Sequence, residues 1–143
     1  MLAPNGHIYM VPSHADSIGD FDPLTNAFDV IDISSRISTI YKYIGGVLAP
    51  NGHIYMVPLN ADSIGDFDPS TNVFDVIDIS SRISTDYKYM GGVLAPNGHI
   101  YMVPYKADSI GDMTLGGTEL SYDVRGGVPE AWSSLLSPHF NKL

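Results

Sequence analysis

Apolar residues run along this chain in short, even bursts separated by turn-forming clusters. Tyr41–Ala49 (YKYIGGVLA) ends at Pro50-Asn51-Gly52, and His53–Pro58 (HIYMVP) follows at once. Asn-Gly between two apolar runs is the strongest short-range hairpin signal, because both residues tolerate the positive φ of a type I′ turn. In HIYMVP the alternating faces are Ile54/Met56 and Tyr55/Val57, apolar on both sides. Such a strand belongs inside a stack of sheets. Ser63–Asp68 reads as a third strand weakened by Gly65, closed by Pro69-Ser70-Thr71-Asn72. There proline presets φ and asparagine accepts the left-handed region. Val73–Ile79 (VFDVIDI), β-branched and aromatic, is the fourth strand. The pattern predicts an antiparallel four-stranded meander and almost no helix before residue 128.

The pattern then repeats. LAPNGHIYMVP begins at Leu2, Leu48 and Leu94, a period of 46 residues. Residues 2–47 and 48–93 differ at six positions: Ser13/Leu59, His14/Asn60, Leu24/Ser70, Ala27/Val73, Ile40/Asp86 and Ile44/Met90. The third copy keeps the pattern through Asp112, apart from Tyr105 and Lys106, and diverges from Met113 onward. A unit of this length is one supersecondary element that buries its faces against its neighbours. Four short strands per unit make a propeller blade. The expected fold is all-β: a partial β-propeller of three four-stranded antiparallel blades with a short C-terminal appendage. Residues 1–127 form the repeat array (2–47, 48–93 and a partial 94–127), and 128–143 form a tail.

Within the third copy, Glu119–Val124 (ELSYDV) alternates as the last blade's fourth strand, ended by Gly126-Gly127. In the tail, Pro129-Glu130-Ala131-Trp132 opens a short helix that Pro138 would end, with Trp132, Leu135 and Leu136 as its apolar stripe. Propellers close with about four to eight blades. Three blades therefore read as an arc of a larger ring, a truncated product, or a protomer that completes its ring by pairing.

NGHIYMVP…SIGDFDPSTNVF resembles a kelch-type blade, at Asn51, Gly52, Tyr55, Phe67, Asp68, Pro69, Thr71, Asn72 and Phe74. The likeness recurs at Asn5–Phe28 and in part at Asn97–Asp112. Where such blades usually carry a glycine pair after the second strand, this chain has Pro58-Leu59. The resemblance implies a propeller, a class that also includes quinoprotein-type blades and hosts many unrelated roles.

Charge narrows the partners. Sixteen acids against seven bases give a net charge of −9, which repels phosphate backbones and anionic lipid surfaces. Neither a nucleic-acid nor a membrane partner is expected. With no cysteine there is no disulfide and no thiolate metal site. MLAPNGHIYM has no basic n-region, and no run approaches the ~18 apolar residues of a membrane span. The expectation is a soluble chain, cytoplasmic by default.

Candidate chemistry is thin. His7, His53 and His99 recur once per copy without a carboxylate–histidine spacing beside them, and read as exposed turn residues. Asp20, Asp66 and Asp112 recur likewise. Asp66 shares a face with Ile64, where an inward charge needs a partner or a cation. With Asp68 and Asn72 it gives D-x-D-x3-N, without the glycine and terminal Glu of an EF-hand. These acids are read as a solvated strand edge, with no shared metal site. Gly45-Gly46 and Gly91-Gly92 precede VLAPNG and fit close backbone approach.

No nucleophile–base–acid arrangement appears, and near-identical repeats supply rings of one residue instead of an asymmetric constellation. No catalytic residue and no cofactor is expected. The expected role is a non-catalytic interaction module that binds protein or another ligand through loops or open blade edges, self-association included. Its candidate surface is Ser13, His14, Leu59, Asn60, Tyr105 and Lys106, with Asp20, Asp66 and Asp112. The alternative is a fragment of a propeller enzyme, of the quinoprotein or oxidase kind, lacking its active site.

Overall fold

The computed structural model describes residues 1–116 and 119–127. Its elements are all strands: β1 (Ile8–Met10), β2 (Ser17–Asp22), β3 (Ala27–Asp32), β4 (Tyr43–Leu48), β5 (Ile54–Pro58), β6 (Ser63–Asp68), β7 (Val73–Asp78), β8 (Tyr89–Leu94), β9 (His99–Pro104), β10 (Ser109–Gly116) and β11 (Glu119–Gly127). They form three antiparallel sheets in meander order: β1-β2-β3, β4-β5-β6-β7 and β8-β9-β10-β11. The last strand takes in the predicted Glu119–Val124 and pairs with β10 from Gly116↔Glu119 to Ser109↔Gly127. The helix expected around Trp132 lies outside the described residues.

The first blade departs from four strands. Only Met1 and Leu2 stand where the second copy has β4, and Leu2 makes a single bridge, Leu2↔Ile8. The Met1 ammonium donates to the Tyr9 carbonyl at 2.7 Å, and Tyr9 N–H returns to the Met1 carbonyl at 2.8 Å.

The hairpin at residues 50–52 also differs from the type I′ expectation. Among its residues only Gly52 has positive φ, at 86°. Gly52 N–H donates to Ala49 O, and Ala49 N–H to His53 O, both at 2.9 Å. This is a three-residue loop, a tight turn through Pro50-Asn51 followed by a left-handed glycine that bulges the strand. Proline at 50 decides it, because its fixed φ suits the first central position of a type I turn. The Asp68–Asn72 turn matches expectation: Asn72 sits at φ 59°, and its N–H donates to Asp68 O at 2.8 Å.

Blades stack face to face, and the two cores lie between them. Tyr9, Ile18 and Ile33 of the first blade pack with Tyr43, Ile54, Met56, Phe67 and Phe74 of the second. Val47, Tyr55, Val57, Ile64 and Ile79 of the second pack with Tyr89, Ile100, Met102 and Met113 of the third. Strand β5 is therefore buried at every residue, as its two apolar faces predict. Burial of each such large side chain is worth about 1.5–3 kcal/mol. The second glycine of each pair has the close approach expected of it, whereas a Cβ on Gly45 or Gly91 would meet nothing within 4 Å. A Cβ on Gly46 would come within 3.1 Å of Val11 Cγ2 in the preceding blade, and one on Gly92 within 3.1 Å of Val57 Cγ2.

Candidate functional site

Meander order puts the β4–β5 and β6–β7 turns at one end of each blade. The β5–β6 loop and the passage to the next blade lie at the other. The two ends carry different chemistry.

At the turn end the histidines are not free turn residues. His53 Nδ1 lies 2.6 Å from Asp66 Oδ1, and its Nε2 lies 3.6 Å from Asp68 Oδ2. The same pair recurs as His7–Asp20 and His99–Asp112, both at 2.7 Å. Each ring stacks on the following tyrosine: His7 on Tyr9, His53 on Tyr55, His99 on Tyr101. Asn51 Nδ2 in turn donates to the Tyr55 hydroxyl at 2.9 Å. Asp20, Asp66 and Asp112 are thus no solvated edge, for their side chains are only 15%, 18% and 3% exposed. The inward charge has found its partner in the histidine.

Cross-strand register explains the spacing. Ile54 faces Phe67 and Tyr55 faces Asp66, so His53 lies diagonally across from Asp66. Burial raises the Tyr9 and Tyr55 phenols above their ordinary value, with the Asn5 and Asn51 amides opposing. The Ser70 hydrogen bond holds Asp68 below the usual carboxylate range. Among the described residues, no three histidine or acidic side chains converge in a metal-binding group.

At the loop end, a buried lysine from each following blade grips the loop of the one before. Lys42 is fully buried. Its ammonium donates to Ala15 O at 2.8 Å and Asp16 Oδ1 at 3.1 Å, with His14 O and Ser13 O at 3.3 and 3.4 Å. Lys88 repeats this on Asp62 Oδ1 at 2.9 Å and Asn60 O at 3.3 Å. A buried ammonium demands such a set of acceptors. Neither lysine stood out from the sequence.

The tyrosine before each lysine is held in the left-handed region, Tyr41 at φ 52° and Tyr87 at φ 53°. Main-chain bonds fix it there: Asn60 N–H donates to Tyr41 O at 3.0 Å, and Lys106 N–H to Tyr87 O at 2.8 Å. A non-glycine residue pays roughly 1–2 kcal/mol for that conformation, and such strain concentrates at functional sites. Both rings stay partly in solvent.

Tyr41, Ile44, Leu59, Tyr87, Met90 and Tyr105 line an apolar trough of about 250 Å³. His14 sets its edge on Tyr41 at 4.1 Å, Tyr87 meets Tyr105 at 5.9 Å, and the Lys106 ammonium sits 4.9 Å over the Tyr87 ring. The structure therefore brings Ser13, His14, Leu59, Asn60, Tyr105 and Lys106 to this end, and leaves Asp20, Asp66 and Asp112 at the other. Asn60 has a structural duty as well, since its Oδ1 accepts Tyr87 N–H at 2.9 Å.

No protein-family model and no curated protein matches this chain. Solved structures do. Virginiamycin B lyase from Staphylococcus aureus matches with TM-score 0.69 at 15% identity, over 90% of this chain and 40% of the lyase. Its catalytically inactive H270A form with quinupristin matches with TM-score 0.68 at 14% identity, over 93% and 41%. The extracellular domain of a one-component system from B. thetaiotaomicron matches with TM-score 0.67 at 7% identity, over 88% and 16%. The fold is a partial β-propeller. The chain spans about 40% of the lyase's length, and at these identities the likeness concerns the fold alone.

Proposed function

We propose that the chain is a non-catalytic propeller-type interaction module whose ligand face is the loop end. The observation that carries this is a coincidence of place. Four of the six positions at which the first two copies differ (13/59, 14/60, 40/86 and 44/90) fall at that end. There they surround three tyrosines, Tyr41, Tyr87 and Tyr105, that are 36–40% exposed. Rigid aromatic rings give large contact area at little entropic cost and dominate binding hot spots. A trough of about 250 Å³ is smaller than the roughly 300–1,000 Å³ of small-molecule pockets. It suits one anchoring side chain of a protein partner. The net charge of −9 argues for a partner that is neither nucleic acid nor anionic membrane.

The blades are read as kelch-like on the left-handed Gly52 and Asn72 and the buried Tyr55, Phe67 and Phe74. The array is assigned to residues 1–127, with 128–143 as a separate tail. Titrating the 15N-labelled chain with N-acetyl-tryptophanamide tests the face. Saturable shifts should centre on Tyr41, Leu59, Tyr87, Met90 and Tyr105 and vanish in Tyr87→Ala. Shifts confined to the turn end, or none, would overturn the reading. The second reading, part of a propeller enzyme whose active site lies elsewhere, draws on the lyases among the structural neighbours. It is favoured if flanking sequence adds unlike blades with a clustered acid–base site.

A further inference from the structure

The two outer blades expose what the middle blade buries. On the first blade Leu2, Met10, Phe28 and Val30 are 63%, 48%, 59% and 54% exposed. Their counterparts 46 residues on include Met56 at 1% and Phe74 at 7%, packed against the first blade. On the third blade Val93, Val103 and Ile110 are 56%, 39% and 41% exposed. Their counterparts Val47, Val57 and Ile64, at 5%, 1% and 0%, pack against the third blade itself. The open face of the first blade is thus one half of a joint that the molecule already makes twice, and the open face of the third is the other half. Both halves keep the same residue types: Ile8, Met10, Phe28 and Val30 repeat Ile54, Met56, Phe74 and Val76, and Val93, Tyr101, Val103 and Ile110 repeat Val47, Tyr55, Val57 and Ile64.

We infer that the chain associates head to tail with a second copy of itself, the third blade of one packing on the first blade of the other. Contiguous apolar faces of this kind mark interaction sites, and here the established blade joints say what covers them. Two copies hold six blades, a count within the four to eight at which propellers close, so the pair can make both joints at once about a two-fold axis. Association joins separate chains and therefore depends on concentration.

Sedimentation velocity on the whole 143-residue chain across a concentration series tests this. The expected species is twice 15.5 kDa or a larger multiple. Met10→Lys and Val103→Lys each place a charge on one open face, at sites 48% and 39% exposed in the single chain. Burying that ammonium in the joint should raise the association midpoint roughly 100-fold or more, while circular dichroism stays unchanged. Lysine also lowers the net negative charge, so lost association cannot be charge repulsion. Mixing the two variants restores one intact joint and should give a heterodimer. A monomer at all concentrations, as when residues 128–143 cover the third blade, overturns the inference. So does either variant that still pairs with itself, since a joint of like faces would leave one of them untouched.

Discussion

The first and middle blades are nearly one sequence in two situations. Phe28 and Phe74 occupy the same register position, opposite Phe21 and Phe67, yet one is 59% exposed and the other 7%. Met10 and Met56 differ as widely. Strand formation is common to both, so turn chemistry and alternation are enough to make the sheet. What separates them is a second neighbour. Each blade's stability is a sum of its own pairing and the faces it shares, as in other repeat arrays.

Phe→Ala at the two positions puts the largest strain on that comparison. In a Val103→Lys background, which keeps the chain single, Phe74→Ala should cost about 3–5 kcal/mol, the loss for an aromatic removed from a packed core. Phe28→Ala should cost less than about 1 kcal/mol. Urea midpoints measure both. Equal losses would mean that the first blade's face is covered within a single chain.

The lysine clamps rank next. Lys42→Met removes the ammonium from Ala15 O and Asp16, leaving the loop's acceptors without the buried donor that ties them to the next blade. The expected loss is about 2–4 kcal/mol. Asp16→Asn should cost under about 1 kcal/mol, because that carboxylate is 48% exposed and screened. Urea denaturation of both variants checks the ratio. A larger loss from Asp16→Asn would place the joint's strength in the ion pair and not in the carbonyls.

Strands, turns and blade order were legible because they depend on local rules. Asn72 and Gly52 announce left-handed positions, and the alternation of HIYMVP predicts a strand buried at every residue. The turn type at Asn51-Gly52 was misread, because Pro50 fixes φ one residue earlier. The site was less legible. His53 and Asp66 are thirteen residues apart and meet only across a strand pair. Lys42 lies between two tyrosines in a run that reads as an apolar strand, whereas its partners belong to a loop 26–29 residues earlier in the neighbouring blade. Copy-to-copy differences did point to 13/59, 14/60 and 105/106. Tyr41 and Tyr87, identical between copies, gave no such signal, although they line the same trough.

Alkaline pH sharpens the contrast from another side. Tyr43, in β4 of the middle blade, has a counterpart in the third blade, Tyr89, and none in the first. Burial pushes its phenol up to about 12, against a hydrogen bond with Ser63 that lowers it. The folded state therefore holds its proton where the unfolded chain, at its ordinary value of about 10, has lost it. That stability is fully present below pH 10 and is lost as pH rises through 12, at about 1.4 kcal/mol per unit. Burial raises Tyr89 in the same direction. Urea midpoints at pH 9 and 11.5 should show the fall, and Tyr43→Phe should flatten part of it. An unchanged slope in that variant would remove Tyr43 from the account.

The smallest effect is the most discriminating, because it should change sign between copies. Gly19 and Gly65 are register equivalents, and neither has a positive φ. A Cβ on Gly65 would meet Met56 Cβ at 3.0 Å and Phe74 Cε2 at 3.1 Å; on Gly19 it would meet Met10 Cβ at 3.1 Å and Phe28 Cε2 at 3.2 Å. The distances are almost the same, so geometry alone predicts equal outcomes. The neighbours differ in freedom. Met56 and Phe74 are locked between two blades and can yield only by straining the core, at about 1–3 kcal/mol. The methionine Cβ is fixed to its strand in both copies alike, but the Met10 thioether and the Phe28 ring have solvent on their outer side and can swing away. Against either cost stands the narrower unfolded ensemble of alanine, worth about 0.4–1 kcal/mol. In the Val103→Lys background, Gly65→Ala should therefore lower the urea midpoint, while Gly19→Ala leaves it unchanged or raises it slightly. A drop of equal size at both would mean that strand pairing within the blade, and not the neighbouring blade, holds Met10 and Phe28 in place.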